Sequence, residues 1–261
     1  MTFAAAGQGV LITPFVMAGV SGPVTLAGAL ALQHAEILGG VVLTQIVRPG
    51  APVLYGAATS NVDMRSGAPA TGSPEGALCI LASAQLARRV GLPVRAGGAL
   101  TDSPVPDAQS QYERMFTLTV SALAGVNYMM HAAGIVESYL TTSVSQFALD
   151  LEMLDMVAHL AGGFPVNGDS LALDAIDAIA PGGMFLDAPH TLARYRDIFF
   201  EPGTGRRESY EQWQAGGCVD TETRARNRIE ELLAMPMVSP LDDATVQRLD
   251  DFIATRKREI P

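Results

Sequence analysis

Four times within residues 1–163, a short apolar run gives way to glycines and polar residues and then to a helical segment, with no hairpin signal joining the runs. The runs are Val10–Ile12, Val53–Tyr55, Val94–Gly97 and Asn127–Met130. Strands separated by helices cannot pair through a tight antiparallel turn, so this rhythm predicts a parallel sheet with right-handed crossovers. The first helical segment spans residues 23–47, with Pro23 in its first turn and Pro49-Gly50 as its stop. The second opens at Pro74-Glu75 and carries Leu78, Leu81, Leu86 and Val90 to Gly91. Asp107 to Ala124 makes the third, closed by Gly125, and a fourth runs from about Ser145 to Ala161 before Gly162-Gly163.

In each unit the long, polar connection follows the strand and the return from helix to strand is short. Active sites of parallel α/β proteins lie on that strand-C-terminal side. The longest such connection is YGAATSNVDMRSGAPATGSPE, residues 55–75, in a stretch from Pro49 to Ala87 whose only charged side chains are Asp63, Arg65 and Glu75. Long, chemically sparse loops in this position tend to carry function.

Charge divides the chain. Residues 1–144 hold seven acidic and six basic side chains, whereas 145–261 hold twenty and eleven. Two regions are expected: a parallel βα body over 1–163 and an acidic helical region over 164–261 that packs on it. Amphipathic faces are expected at Leu171, Ala175, Ile176 and Ile179, with surface helices at 221–234 and 241–257. No basic stripe exists to neutralise phosphates, so nucleic acid is not an expected partner. Residues 23–47 are apolar enough to suggest a membrane span, but Gln33, His34 and Glu36 at the centre favour a helix buried inside a soluble, cytoplasmic protein. Lys257 is the one lysine, in a basic tail, which argues against Schiff-base chemistry and excludes a P-loop. Cys79 and Cys218 show no metal spacing and are expected to be reduced.

Polar residues gather at the strand ends: Thr13, then Asp63, Arg65 and Glu75, then Thr101 and Asp102, then His131. Thr13 is expected only to bond backbone groups before Pro14. Asp63 and Arg65 are candidate substrate contacts, with a local ion pair as the plainer alternative. Glu75 suits the first turn of a helix, Asp107 a helix start, and Asp102 the capping of a turn before Pro104. His131 ends an apolar strand on the functional side, and the plain alternative is a core histidine bonded to carbonyls. His34, His159 and His190 have no ligand partners at metal spacing, and no HExxH or GxSxG occurs.

The blocks GPVTLAGALALQHAE, VRPGAPVLYGAATSNVDMRSGAPATGSPE, GLPVRAGGALTDSPVPDAQ and YMMHAAGIVES occur in that order, followed by PGGMFLDAPHTLARYR. This succession resembles the trimethylamine methyltransferase family, the amine-demethylating subunits of corrinoid-dependent systems. The resemblance implies a TIM barrel, here about half of one with four βα units plus C-terminal helices, because family members are about twice as long. It implies methyl transfer from a quaternary amine or methylamine to the cobalt of a corrinoid (cobalamin) carried by a separate protein, with no cofactor bound tightly by this chain. Some members carry pyrrolysine where Leu100 stands here, in GGALTD. Leucine cannot form the adduct proposed for pyrrolysine, so the chain is similar to members acting on quaternary amines such as glycine betaine.

That reading makes His131 and Asp102 the expected catalytic pair, orienting substrate or contacting the corrinoid, with Tyr55 alongside. No general base is expected, since demethylating a quaternary amine leaves no proton to abstract. Tyr55, Tyr112 or Phe15 would hold the ammonium by cation–π attraction, and Arg65 or Arg95 would grip a carboxylate at the substrate's other end. Asp63 and Leu100 complete the expected substrate-binding set. Four units cannot close a barrel alone, so association with a second copy or an N-terminal half is expected through exposed edge strands. A competing expectation is a non-catalytic remnant, because Met1 stands only nine residues before the first strand. An unrelated lyase or hydrolase would instead need a bound metal.

Overall fold

The four expected strands pair in chain order. The computed structural model describes residues 1–236 and 240–259. A short α1 (Thr2–Ala5) precedes β1 (Val10–Ile12), β2 (Met17–Ala18) and α2 (Leu26–Val47). Then come β3 (Val53–Gly56), β4 (Ser60–Val62), β5 (Pro69–Ala70), α3 (Pro74–Arg89), β6 (Val94–Gly97) and α4 (Ala108–Leu123). β7 (Tyr128–Met130), β8 (Ile135–Val136), β9 (Thr141–Thr142) and α5 (Val144–Gly162) follow. The C-terminal region holds α6 (Gly168–Leu171), α7 (Leu173–Asp177), α8 (Pro189–Ile198), α9 (Tyr210–Ala215), α10 (Thr221–Ala234) and α11 (Asp243–Glu259). The main sheet has the order β1-β3-β6-β7, and every neighbouring pair is parallel.

Register fixes which side chains face the helices. Ile12 pairs with Tyr55 and Tyr55 with Val94, while Gly56 pairs with Arg95 and Arg95 with Tyr128. Because side chains alternate along a strand, Tyr55, Ala57, Val94 and Ala96 face outward into a core with Ile37 of α2 and Ile80, Ala84 and Ala87 of α3. Leu11, Leu54, Gly56, Arg95 and Tyr128 fall on the opposite, inner face.

Several local expectations are corrected. The 55–75 segment is not an irregular loop: β4 and β5 form an antiparallel hairpin within it, and β2 adds in parallel to β4. A second hairpin, β8–β9, lies between β7 and α5. Strands of two or three residues are too short to show alternation. On α3 the packed face is Ala77, Cys79, Ile80, Ser83, Ala84 and Ala87, while Leu78 is 54% exposed. Small residues let the helix lie close to the sheet, and a search for large apolar positions passes over them.

Among the described residues, one helix, α2, is long and apolar enough to cross a membrane. It is not enclosed by protein, since its buried residues are only Ala29, Gln33, Ile37 and Thr44. That one face packs on the sheet, and Gln33 donates to Ser83 Oγ at 2.9 Å. Pro23 lies before the helix, which starts after Thr25. The 171–179 stretch is broken by Ala172 at φ 50°, and Leu171 and Ile176 are both exposed. In the C-terminal region α10 packs on α5 through Ala148, Leu149 and Ala225.

Candidate active site at the strand ends

Nearly every buried polar atom in a folded protein has a hydrogen-bond partner, so the exceptions are informative. Among the described residues the exceptions include Thr13 Oγ1, Thr59 Oγ1, Arg95 Nε and His131 Nδ1. These follow β1 and β3, lie on β6, and follow β7, so each of the four βα units contributes one. Gln33 Oε1 and His190 Nε2 are the others, outside the strand ends.

Arg95 is the centre of this group. Its side chain is 6% exposed residue-wide and makes no hydrogen bond or ion pair among the described residues. Burial pushes its pKa down, and Tyr139 and Tyr128 push the other way. Thr13, Gly56, Arg95 and Tyr128 form one row across the inner face. Gly56 contributes no side chain there: a Cβ would strike Thr13 Oγ1 and come 2.5 Å from the Ile12 carbonyl oxygen. The missing methyl lets the Thr13 side chain pack directly against the Gly56 backbone.

His131, which follows β7 and feels the charge of Arg95, is in the left-handed region at φ 56°. Its ring meets the ring of Tyr139 edge-on, with centroids 4.8 Å apart and planes at 61°. Burial, and secondarily the Arg95 charge, hold the imidazole pKa below its ordinary value, so the ring is neutral near pH 7. Tyr139 is pushed up to about 12, chiefly by burial, with Arg95 lowering it and Asp102 raising it, so its phenol keeps its proton. Phe15, Thr59, Gly97, Leu100 and Tyr139, with Gly76 and Ile80 of α3, line a narrow cleft of about 20 Å³ beside Tyr139; no Asp or Glu is among its lining residues, and Arg95 and His131 lie outside it. Leu100 folds back over Gly97, its Cδ1 only 2.5 Å from where a Cβ on that glycine would sit. A guanidinium without a counter-ion, a neutral imidazole and aromatic walls suit a ligand with an anionic end and a soft cationic one.

Residues 1–261 match the family model described as trimethylamine methyltransferase (MTTB). The chain belongs to the trimethylamine methyltransferase family. It is 43% identical over 260 residues to a glycine betaine methyltransferase of Desulfitobacterium hafniense (strain Y51), an alignment covering 100% of this chain and 54% of that protein. It is 36% identical over 236 residues to the trimethylamine methyltransferase MttB of Methanosarcina barkeri, covering 90% of this chain and 47% of the other. A trimethylamine methyltransferase MttB of Desulfitobacterium hafniense (strain DSM 10664 / DCB-2) is 35% identical over 257 residues, 98% of this chain and 50% of the relative. The chain thus spans about half the length of these curated relatives.

Within this family member Tyr139 links two groups at the strand ends: it lines the cleft with Phe15 and Leu100, and it meets His131 and feels the charge of Arg95. The alternative of a core histidine bonded to carbonyls does not describe His131, whose Nδ1 is unpartnered. Thr13 does not bond backbone groups either, since its Oγ1 also lacks a partner. Tyr55 is corrected: it is fully buried on the outer face, and its hydroxyl lies 3.1 Å from His34 Nδ1 and 3.5 Å from Gln33 Nε2 of α2. Strand alternation sends it into the helix layer, and it cannot touch a substrate at the mouth. Tyr112 is 64% exposed on α4, outside that helix's packed face of Ser110, Arg114, Thr117, Leu118 and Ser121. Asp63 and Arg65 sit at the exposed tip of the β4–β5 hairpin, and neither forms a salt bridge among the described residues. The carboxylate accepts from the Arg65 backbone N–H at 3.0 Å and from Ser66 Oγ at 2.8 Å, closing a turn.

Asp102 does not cap a turn before Pro104. Its carboxylate accepts from Thr71 N, Thr71 Oγ1, Gly72 N and Ser138 Oγ. Glu75 does lie in the first turn of α3, where Ser73 is the N-cap, and Asp107 caps α4 by accepting from Ser110 N at 2.8 Å. Tyr139 was not expected at the mouth. Its signal lay beside YMMHAAGIVES, which ends one residue before it.

Proposed function

We propose that this chain carries the substrate mouth of a methyltransferase acting on a quaternary amine with a carboxylate, glycine betaine being the simplest, with the cobalt of a partner-borne corrinoid as methyl acceptor. The observation that carries the reading is Arg95, whose side chain is largely buried with an unpartnered Nε and has no anion paired with it among the described residues. A substrate carboxylate would supply one, in the bidentate geometry guanidinium favours. The 43% identity to a glycine betaine methyltransferase points the same way.

The corrinoid supplies the nucleophile; this chain binds and aims. As the methyl leaves, the N–CH3 bonding pair stays on nitrogen, and the ammonium becomes a neutral tertiary amine. A carboxylate pressed on that nitrogen would favour the charged ground state over the transition state. The cleft is lined instead by Tyr139 and Phe15, whose cation–π attraction would be milder, and the neutral His131 against Tyr139 adds no repulsion. Leu100 fits the same substrate, because a leaving group that departs neutral needs no activating adduct. Small residues at Ala132, Ala133 and Gly134 leave the rim beside His131 low enough for a broad planar partner. Holding the methyl in line supplies much of the acceleration.

The four-stranded sheet reads as half of a TIM barrel. Its outer strands β1 and β7 each have one neighbour, and on its inner face Leu11 is 36% and Tyr128 50% exposed. The remaining half of the family fold, or a second copy, would cover that face and those edges. The test mixes the chain with reduced corrinoid protein and glycine betaine, carnitine or proline betaine, and follows methylcobalamin absorbance. Transfer from these and not from choline is expected. Absence of transfer with every quaternary amine, while a full-length relative works alongside, removes the activity.

A further inference from the structure

Glu137, Ser138 and Tyr139 have φ of 52°, 47° and 79°, three successive side-chain-bearing residues in the left-handed region. Each costs free energy there, and such a run persists only where its surroundings over-determine it. The fixings are specific. Glu137 N donates to Ser103 O at 2.8 Å and Ser138 N to Thr101 O at 3.0 Å. The Ser138 hydroxyl is shared between Pro69 O at 2.9 Å and Asp102 Oδ1 at 2.7 Å. Asp102 Oδ1 also accepts from Thr71 N at 2.7 Å and Thr71 Oγ1 at 3.0 Å, and Oδ2 from Gly72 N at 3.2 Å. Asp102 is itself tied down, its N–H donating to Glu113 Oε2 of α4 at 2.8 Å. One carboxylate therefore joins the turn before α3 to the segment that carries Tyr139 against His131.

We propose that Asp102 is a positioning residue: it holds the 137–139 strap in its left-handed form so that the Tyr139 ring stands against His131 as a wall of the mouth. Asp102 acts through the strap and does not touch the substrate. Its carboxylate oxygens are engaged by protein donors from two segments, and an amide cannot replace them all, because its NH2 would face the Gly72 N–H. The conformation of the strap follows from the hydrogen bonds alone; only its consequence for turnover rests on the amine reading of the mouth.

The test has two arms on the full chain. In the first, NMR of protein labelled in histidine and tyrosine rings follows the cross-peak between His131 and Tyr139. It is expected in the native chain, lost in Asp102→Ala, and kept in Leu118→Ala, a control that opens a cavity in the core elsewhere and lowers stability without touching the strap. Persistence of the cross-peak in Asp102→Ala, or its equal loss in the control, overturns the proposal. The second arm measures KM and kcat for glycine betaine in Asp102→Ala, Tyr139→Leu and the double variant. Each single change is expected to raise KM about tenfold, and the double no further, because both remove the same wall. Additive losses would overturn the coupling. If no variant and no native chain transfers methyl, the functional reading fails while the cross-peak still decides the role of Asp102.

Discussion

Replacing Arg95 by methionine is expected to make the protein more stable and useless to its ligand. Arg95 is 6% exposed, its Nε is buried without a partner, and among the described residues no carboxylate pairs with it. Removing an ion from water carries an effective penalty of several kcal/mol, which an ion pair normally offsets. Methionine keeps most of the side-chain volume and drops the charge, so a gain of about 2 kcal/mol is expected from relief of that penalty. For a chain of this size about 1 kcal/mol moves Tm by roughly 2–4 °C, so Tm should rise by about 4–8 °C. Ligand reverses the order. At a glycine betaine concentration of about 100 times Kd, the native chain gains about 2.7 kcal/mol, and Arg95→Met gains nothing. Differential scanning calorimetry with and without ligand reads both effects. A fall in Tm of several degrees for Arg95→Met without ligand would show that the guanidinium holds the fold together, and the anion-site reasoning would fail.

Three further outcomes are expected. Arg114 and Asp150 form a fully buried ion pair between α4 and α5, with Gly134 N and Gln146 Nε2 also donating to the carboxylate, so Asp150→Ala should cost about 3–5 kcal/mol in a urea titration; a loss below about 1 kcal/mol would contradict the buried network. Because the folded pKa of His131 is depressed, the unfolded chain takes up its proton first as pH falls, so this residue's contribution to stability is lost below the ordinary histidine pKa. His131→Gln should therefore flatten the dependence of Tm on pH between about 7 and 5, and an unchanged slope would place the ring in solvent. Cys79 is buried with its thiol pushed up to about 11 by burial and then by Glu75, whereas Cys218 is exposed. Ellman's reagent at pH 8 should titrate one thiol quickly and the second only on unfolding.

What the sequence made legible was periodic. Val10–Ile12, Val53–Tyr55 and Val94–Gly97 announce strands because each is a short run opening with valine and bounded by glycine or proline, and the helix that follows each is succeeded by Gly50, Gly91 or Gly125, each with positive φ. Face is harder to read than element. Tyr55 and Gly56 are neighbours in one strand, yet one enters the helix layer and the other opens the mouth, a difference set by registers that no single strand encodes. Tyr139 was invisible for a related reason: left-handed conformation at Glu137, Ser138 and Tyr139 has no local signature, since none is glycine or asparagine. It depends on Asp102, thirty-odd residues away in the chain. The Arg114–Asp150 pair likewise joins two helices that sequence spacing does not relate. Arg95 was legible as a candidate to grip a carboxylate, but its lack of a counter-ion among the described residues appears only when every neighbour is in place.

The most direct measurement of the central claim is a crystal structure of the chain with glycine betaine bound. The account predicts the carboxylate on Arg95, with N–O distances of about 2.7–2.9 Å, and the trimethylammonium against Tyr139 and Phe15 beside His131. A carboxylate held instead by Arg65 at the hairpin tip, or an ammonium lodged away from Tyr139, would contradict it.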